Sequence, residues 1–161
     1  MPAKLEIKLF IIGRIYPLNK KGLKIIGIIP ARGGSKGVPR KNIKLLYGKP
    51  LIYYTIKEAL KCKILTDVVV TTEDEEIKRI SEGFGAQVPF LRPKELATDT
   101  ALAIPTVKHC LLEMEKIKSQ KYDYLVMLQP TAPLRTSEDI EKALKMLIEK
   151  GADGIISVVE V

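Results

Sequence analysis

Arg32, Lys36, Arg40 and Lys41 fall within ten residues of one another, interleaved with Gly33, Gly34, Gly37 and Pro39. No acidic residue occurs between Gly22 and Lys57. Cations on a glycine-rich turn suit an anion, because glycine lets the backbone approach closely and successive amide N–H groups add to the positive field. The turn follows an apolar run, Ile25–Ile29, that stops at Pro30. A buried strand that delivers a uniformly positive loop is a physical solution for gripping phosphates. The spacing alone also admits a plain turn with a solvated basic face.

Two phosphate-binding patterns are excluded. A Walker loop needs four residues between its first glycine and a Gly-Lys-Ser/Thr ending, whereas Gly33-Gly34 is followed by Ser35-Lys36-Gly37. The dinucleotide fingerprint Gly-x-Gly-x-x-Gly does not occur. The number of cations fits a free nucleoside triphosphate better than a dinucleotide.

The elements that must position this loop alternate. Lys24–Ile29 is nearly all apolar, as in a strand buried on both faces of a parallel sheet. Leu51–Lys61 has its apolar residues at helical spacing, after Pro50. Asp67–Thr71 is a second strand, followed by a Thr72/Glu75 capping box and a helix over Glu76–Gly83. Ala86–Phe90 reads as a third strand. A helix capped by Thr98 or Asp99 runs to about Lys118, with Pro105 in its first turns and His109, the only histidine, on its surface. Tyr122–Leu128 is a fourth strand. A Thr136/Asp139 capping box opens a last helix ended by Gly151, and Gly154–Val159 is a fifth strand. This order predicts an α/β fold with helices on both faces of a mostly parallel sheet. Such sheets bind ligands beyond the C-terminal ends of their strands, which is where the basic loop, the Thr71–Asp74 turn and the Gln129–Arg135 loop all emerge.

Composition narrows the function. A chain of 161 residues with 46% hydrophobic content can bury a real core. Of its 27 Lys and Arg, 12 lie in residues 1–50 against the single acid Glu6, so the net charge of +8 belongs to the N-terminal region. That points to a local anion site rather than a nucleic-acid footprint, and no aromatic stacking cluster is present. Cys62 and Cys110 read as reduced structural thiols. No apolar run reaches the ~18 residues of a membrane span, and the expected location is cytoplasmic. Residues 1–23 read as a basic, partly ordered leader in which Leu9–Ile12 could form a short strand, and residues 24–161 as the nucleotide-binding domain.

Three ordered segments resemble one family. Ile29-Pro30-Ala31-Arg32-Gly33-Gly34-Ser35-Lys36-Gly37 with Pro39 and Lys41-Asn42 looks like the signature loop of the acylneuraminate cytidylyltransferases, the CMP-sialic acid synthetases. Leu91-Arg92-Pro93 with Glu95-Leu96-Ala97 and Asp99-Thr100 matches a second segment, and Leu128-Gln129-Pro130-Thr131-Ala132-Pro133-Leu134-Arg135 a third. The resemblance implies a three-layer Rossmann-like nucleotidyltransferase fold. It also implies transfer of a cytidylyl group from CTP to the anomeric hydroxyl of a nine-carbon keto sugar acid, sialic acid or a relative such as legionaminic or pseudaminic acid.

The resemblance also assigns roles. Arg32, Lys36 and Lys41 contact the phosphates and stabilise charge in the reaction, with Ala31, Gly33, Ser35 and Asn42 completing the nucleotide loop. Arg92 lies near the cytosine, and the Ala101 and Ala103 backbone reads the base edge. Gln129 orients the sugar. Arg135 either holds that loop or meets the sugar carboxylate. Arg40 stands where the family often has a small or neutral residue and is expected to add outer attraction. Magnesium is implied as cofactor. Family members are longer, so its aspartate ligands and a homodimerisation arm are expected beyond Val161, and the 161 residues alone are expected to bind nucleotide weakly and turn over little. No general base or metal ligand is assigned here, and neither a specific nucleic acid nor a membrane is an expected partner. The alternatives are a cytidylyltransferase for an eight-carbon keto sugar acid, whose shorter glycine pattern fits Gly33–Gly37 less well, and a noncatalytic nucleotide- or RNA-binding module.

Overall fold

The computed structural model describes residues 22–158 throughout, together with the backbone of three short strand segments outside that range. The strands are β1 (Leu5–Glu6), β2 (Phe10–Arg14), β3 (Ile25–Pro30), β4 (Leu45–Leu46), β5 (Lys49–Pro50), β6 (Asp67–Thr71), β7 (Tyr124–Leu128), β8 (Gly154–Ile156) and β9 (Val159–Glu160). The helices are α1 (Leu51–Lys61), α2 (Glu75–Gly83), α3 (Ala103–Lys118) and α4 (Ser137–Lys150).

The central sheet has the order β6-β3-β7-β2-β8. β3 is parallel to both β6 and β7, while β2 is antiparallel to both β7 and β8. Four strands therefore point one way and β2 the other. Alternation along each strand builds two cores, because successive side chains leave opposite faces. Ile25, Ile29, Val68, Val70, Tyr124, Val126 and Leu128 pack with α1, α2 and α4 on one face. Ile26, Ile28, Val69 and Met127 pack with Val107, Cys110, Leu111 and Met114 of α3 on the other. The result is a three-layer α/β fold. Gly27 breaks the apolar run of β3 for a reason of space: a Cβ there would lie 3.0 Å from Leu65 Cδ1.

Several expectations need correction. Leu9–Ile12 is not among them: from Phe10 on, that stretch forms the expected strand as β2, an inner strand of the sheet; the rest of the leader up to residue 21, apart from β1, lies outside the described residues. Ala86–Phe90 contributes one parallel bridge, Val69 to Gln87, and no full strand; Pro89 has no N–H to extend a ladder. The cap of α2 is Asp74, whose Oδ1 accepts from the Glu76 and Ile77 amides, while Thr72 Oγ1 accepts from the Asp74 amide. The residue before α3 is Leu102, with no side-chain cap, so neither Thr98 nor Asp99 plays that part. The Thr136/Asp139 capping box of α4 forms in full.

Among the described residues no helix is long and apolar enough to cross a membrane. Cys62 and Cys110 are both buried and free. Burial pushes the Cys110 thiol up to about 12, so it stays protonated and inert.

Candidate functional site

The chain leaves β3 toward β6 on one side and returns through α3 to β7 on the other. The C-terminal ends of β3 and β7 therefore flank a topological switch point, the place where open α/β sheets form a crevice. A cavity of about 270 Å³ opens there. Pro30, Arg32, Ser35, Lys41 and Asn42 line it from the loop after β3, and Gln129, Pro130 and Thr131 from the loop after β7. The segment between α2 and α3 closes the remaining side with Arg92, Leu96, Thr98, Asp99 and Ala101, joined by Ala103 and Thr106 from the start of α3. The three segments singled out in the sequence thus meet in one cleft.

Hydrogen bonds hold the loop after β3, beside the burial of Ala31 in the core at its start. Ala31 is fully buried and donates its N–H to Thr71 O at 3.0 Å. Asn42, also buried, donates Nδ2–H to Arg32 O at 3.0 Å, which fixes where the Arg32 side chain starts. The Gly33 amide donates to Glu73 Oε1 at 2.7 Å. A Cβ on Gly33 would lie 2.5 Å from Asp74 Oδ2, so only glycine fits that close approach. A turn of 3-10 helix over Lys41–Ile43 leaves Lys41 half-buried at the cavity wall, with no ion-pair partner among the described residues.

The other loop cations are occupied. Arg32 Nη1 donates to Asp99 Oδ1 at 2.8 Å and to Thr98 O at 3.2 Å, and Lys36 Nζ lies 3.0 Å from Asp99 Oδ2. Lys36 and Arg32 together hold the Asp99 carboxyl below its ordinary value. Arg40 has a left-handed backbone, φ 53°, and turns its guanidinium onto Asp74 at 2.7 Å and onto Glu76. Its charge is spent on the start of α2 rather than on an outer field, and Arg40 holds the Asp74 carboxyl low.

Arg92 is only 3% exposed at its side chain. Its Nη2 donates to Glu73 Oε2 at 2.8 Å, not to Glu95, and its Nε has no hydrogen-bond partner among the described residues. Gln129 is half-buried at the opposite wall. Arg135 does not face this cleft. It is buried, donates Nη2–H to Gln129 O at 3.2 Å, and lines a separate cavity with Leu134, Asp139 and Ile155. Burial lowers its guanidinium to about 10.

Ala31 and Gly33 lie behind the cleft surface, and Lys36 reaches it only through Asp99. Glu73 and the carboxylate role of Asp99 were not singled out from the sequence. Asp99 stood inside a quoted segment, but its partners are Arg32 and Lys36, more than sixty residues back, where no local pattern points. Among the described residues no group of three or more His, Cys, Asp or Glu could hold a metal ion. The acids nearest the loop, Glu73, Asp74 and Asp99, are each engaged by arginine or lysine. A magnesium site does not fit these side chains as they stand.

Comparison with known proteins agrees with this geometry. Residues 26–161 match the family described as Cytidylyltransferase. The chain is 41% identical over 124 residues to the CMP-N,N'-diacetyllegionaminic acid synthase of Legionella pneumophila, covering 77% of this chain and 53% of that protein. It is 46% identical over 123 residues to the N-acylneuraminate cytidylyltransferase of Escherichia coli, covering 76% of this chain and 28% of that one. A solved CMP:2-keto-3-deoxy-manno-octonic acid synthetase complexed with CTP superposes with a TM-score of 0.65 at 25% identity, over 80% of this chain and 49% of that one. The chain spans about half, or less, of the length of these relatives.

Proposed function

The chain belongs to the cytidylyltransferase family, and from that premise we propose that its cleft receives CTP and serves cytidylyl transfer to the anomeric hydroxyl of a nine-carbon keto sugar acid. The observation that carries this reading is a pair of cationic donors at the cavity wall. Lys41 has no ion-pair partner and Arg92 Nε no acceptor among the described residues. Both residues line the cleft, but the Nε is itself closed to solvent, so Lys41 is the donor that meets a ligand directly and Arg92 meets it through the rest of its guanidinium. A triphosphate supplies negative charge for Lys41, and the cytosine carbonyl supplies an acceptor for Arg92.

In the reaction the anomeric oxygen forms a bond to the α-phosphorus while the bond to the bridging oxygen of the leaving pyrophosphate breaks. Pyrophosphate departs with that electron pair, and the attacking hydroxyl gives up its proton. Negative charge grows on the nonbridging oxygens and on the leaving group, so fixed cations stabilise the transition state more than the ground state. Arg32, Lys36 and Lys41 fill that role. Ser35 and Asn42 shape the loop, the Ala101 and Ala103 backbone lies where a base edge is read, and Gln129 can both donate to and accept from sugar hydroxyls. Arg135 holds the Gln129 loop in place. No side chain is assigned as general base, and no step is routed through magnesium.

The nine-carbon class is favoured by the names and identities of the relatives at 41% and 46%, set against 25% for the octonic acid synthetase. Pyrophosphate release from CTP, followed with N-acetylneuraminic, legionaminic and pseudaminic acids and with 3-deoxy-manno-octulosonic acid, tests it. Release with a nine-carbon acid alone supports the reading. Equal or faster release with the eight-carbon acid overturns the sugar assignment. CTP binding without release with any of them reassigns these 161 residues to a nucleotide-binding role.

A further inference from the structure

Two of the three cations expected to meet the phosphates, Arg32 and Lys36, are not free. Asp99 offers one carboxylate oxygen to each: Oδ1 to Arg32 at 2.8 Å and Oδ2 to Lys36 at 3.0 Å. The pair is drawn together across a loop that holds Gly33, Gly34 and Gly37. Arg40, the third cation, is drawn the other way by Asp74 and Glu76. Lys41 alone of the four keeps its charge open to the cleft. The arrangement at Arg32 and Lys36 has the geometry of a bound anion, with a protein carboxylate as the anion.

We infer that Asp99 is a displaceable internal anion. Its carboxylate occupies the cationic fork of Arg32 and Lys36 in the empty site, and the phosphate groups of the nucleotide or of pyrophosphate take its place. The inference rests on the proposed triphosphate site and deepens it. Three features support displacement over permanent pairing. Asp99 is 39% exposed at its side chain and Lys36 80% exposed, so the contacts sit at the solvent boundary and each is weak. Asp99 lies in a link that forms no helix cap, so moving it breaks no secondary structure. A polyphosphate carries more charge than one carboxylate and can span both cations, so it outcompetes Asp99 at the same fork.

The device has two consequences. Without ligand, it relieves the repulsion between two cations and keeps the loop in its binding shape. When pyrophosphate leaves, the carboxylate returns to the same cations and competes with rebinding. Asp99 is thus a positioning residue whose charge lowers anion affinity, the opposite of an aspartate that merely aims Arg32 at its target.

Titration with sodium tripolyphosphate and with pyrophosphate, which carry no base, separates the possibilities. Asp99→Asn keeps the shape and removes the charge. It is expected to bind tripolyphosphate about 3- to 10-fold more tightly than the wild type, the scale of one or two exposed charge pairs. The gain should shrink in 0.5 M NaCl and in an Arg32→Ala background. Asp99→Ser gives the same sign if the asparagine variant fails to fold, and a thermal melt reports folding for both. Unchanged or weaker tripolyphosphate binding by a folded variant overturns the inference. A gain for tripolyphosphate without preference for CTP over GTP upholds Asp99 as the internal anion and overturns the cytidine reading. Retained CTP preference without the gain does the reverse.

Discussion

Glu73 joins Arg92 to the phosphate loop. One carboxylate oxygen accepts from Arg92 Nη2 at 2.8 Å and the other from the Gly33 amide at 2.7 Å. Two walls of the cleft, the one with Arg92 and the one with the glycine loop, are therefore tied by one residue just past the end of β6. Removing a partner from a nearly dry ion pair leaves an uncompensated charge and typically costs about 3–5 kcal/mol. Because Glu73 retains 16% exposure, Glu73→Ala is expected to lose about 2–3 kcal/mol in a urea titration, just below that range. It should also weaken CTP binding. Loss below 0.5 kcal/mol with unchanged affinity would mean that water replaces the carboxylate and that Glu73 organises nothing.

A second polar cluster lies at the opposite end of the sheet. Tyr122 is fully buried and donates its hydroxyl to Asp67 Oδ2 at 2.7 Å, while Gln87 donates to Oδ1 at 2.8 Å. Burial pushes the Asp67 carboxyl up, but hydrogen bonds from Gln87, Tyr122 and Lys118 outweigh it and leave the group below its ordinary 3.8. A depressed folded value contributes stability that is full above the unfolded value and is lost as pH falls through the folded one. Tyr122→Phe is expected to cost about 1–3 kcal/mol at pH 7, since it strips a buried carboxylate of a donor. The gap between variant and wild type should narrow below pH 3.8. A constant gap in denaturation from pH 7 to 3 would show that the hydroxyl acts by packing alone.

The strand β2 sits between β7 and β8, which do not pair with each other, and it precedes the residues matched by the family. Five register pairs join it to β7 and three to β8, so it is the only link between β8 and the rest of the sheet among the described residues. Ile12 lies in both ladders, opposite Val126 and Ile155. Proline at an inner strand position removes a ladder donor and is confined in sheets to edges, strand starts and bulges. Ile12→Pro is therefore expected to lower the thermal midpoint and to raise exchange at the amides of β8. Normal stability in that variant would show that β8 holds its place without β2.

How far the sequence displayed all this depends on distance along the chain. β3, β6 and β7 were legible because each is an apolar run bounded by turn residues, and α4 because its capping box is local. The same local reasoning misplaced the cap of α2 by two residues, since Asp74 and Thr72 are both capping types and only the backbone path chooses between them. It also gave Asp99 to the helix next to it, when a cation sixty-seven residues away holds it. The strand itself was legible at Leu9–Ile12, but its place was not, for the same reason: nothing in Phe10–Arg14 indicates a slot formed by strands more than a hundred residues later. In the cleft, the glycine and cation pattern pointed to the loop itself, whereas Glu73 carries no motif and is visible only through its two partners.

The binding of CTP is the point on which the rest depends, and calorimetric titration measures it directly. The wild-type chain is expected to bind CTP more tightly than GTP. Lys41→Ala should weaken CTP by about 10-fold or more, because it removes the loop cation that has no ion-pair partner among the described residues. Arg92→Lys should reduce the preference for CTP, since an ammonium cannot hold the Glu73 contact and a base carbonyl in the same geometry. Equal affinity for CTP and GTP in a well-folded wild type, or no effect of Lys41→Ala, would contradict a cytidine nucleotide site in this cleft.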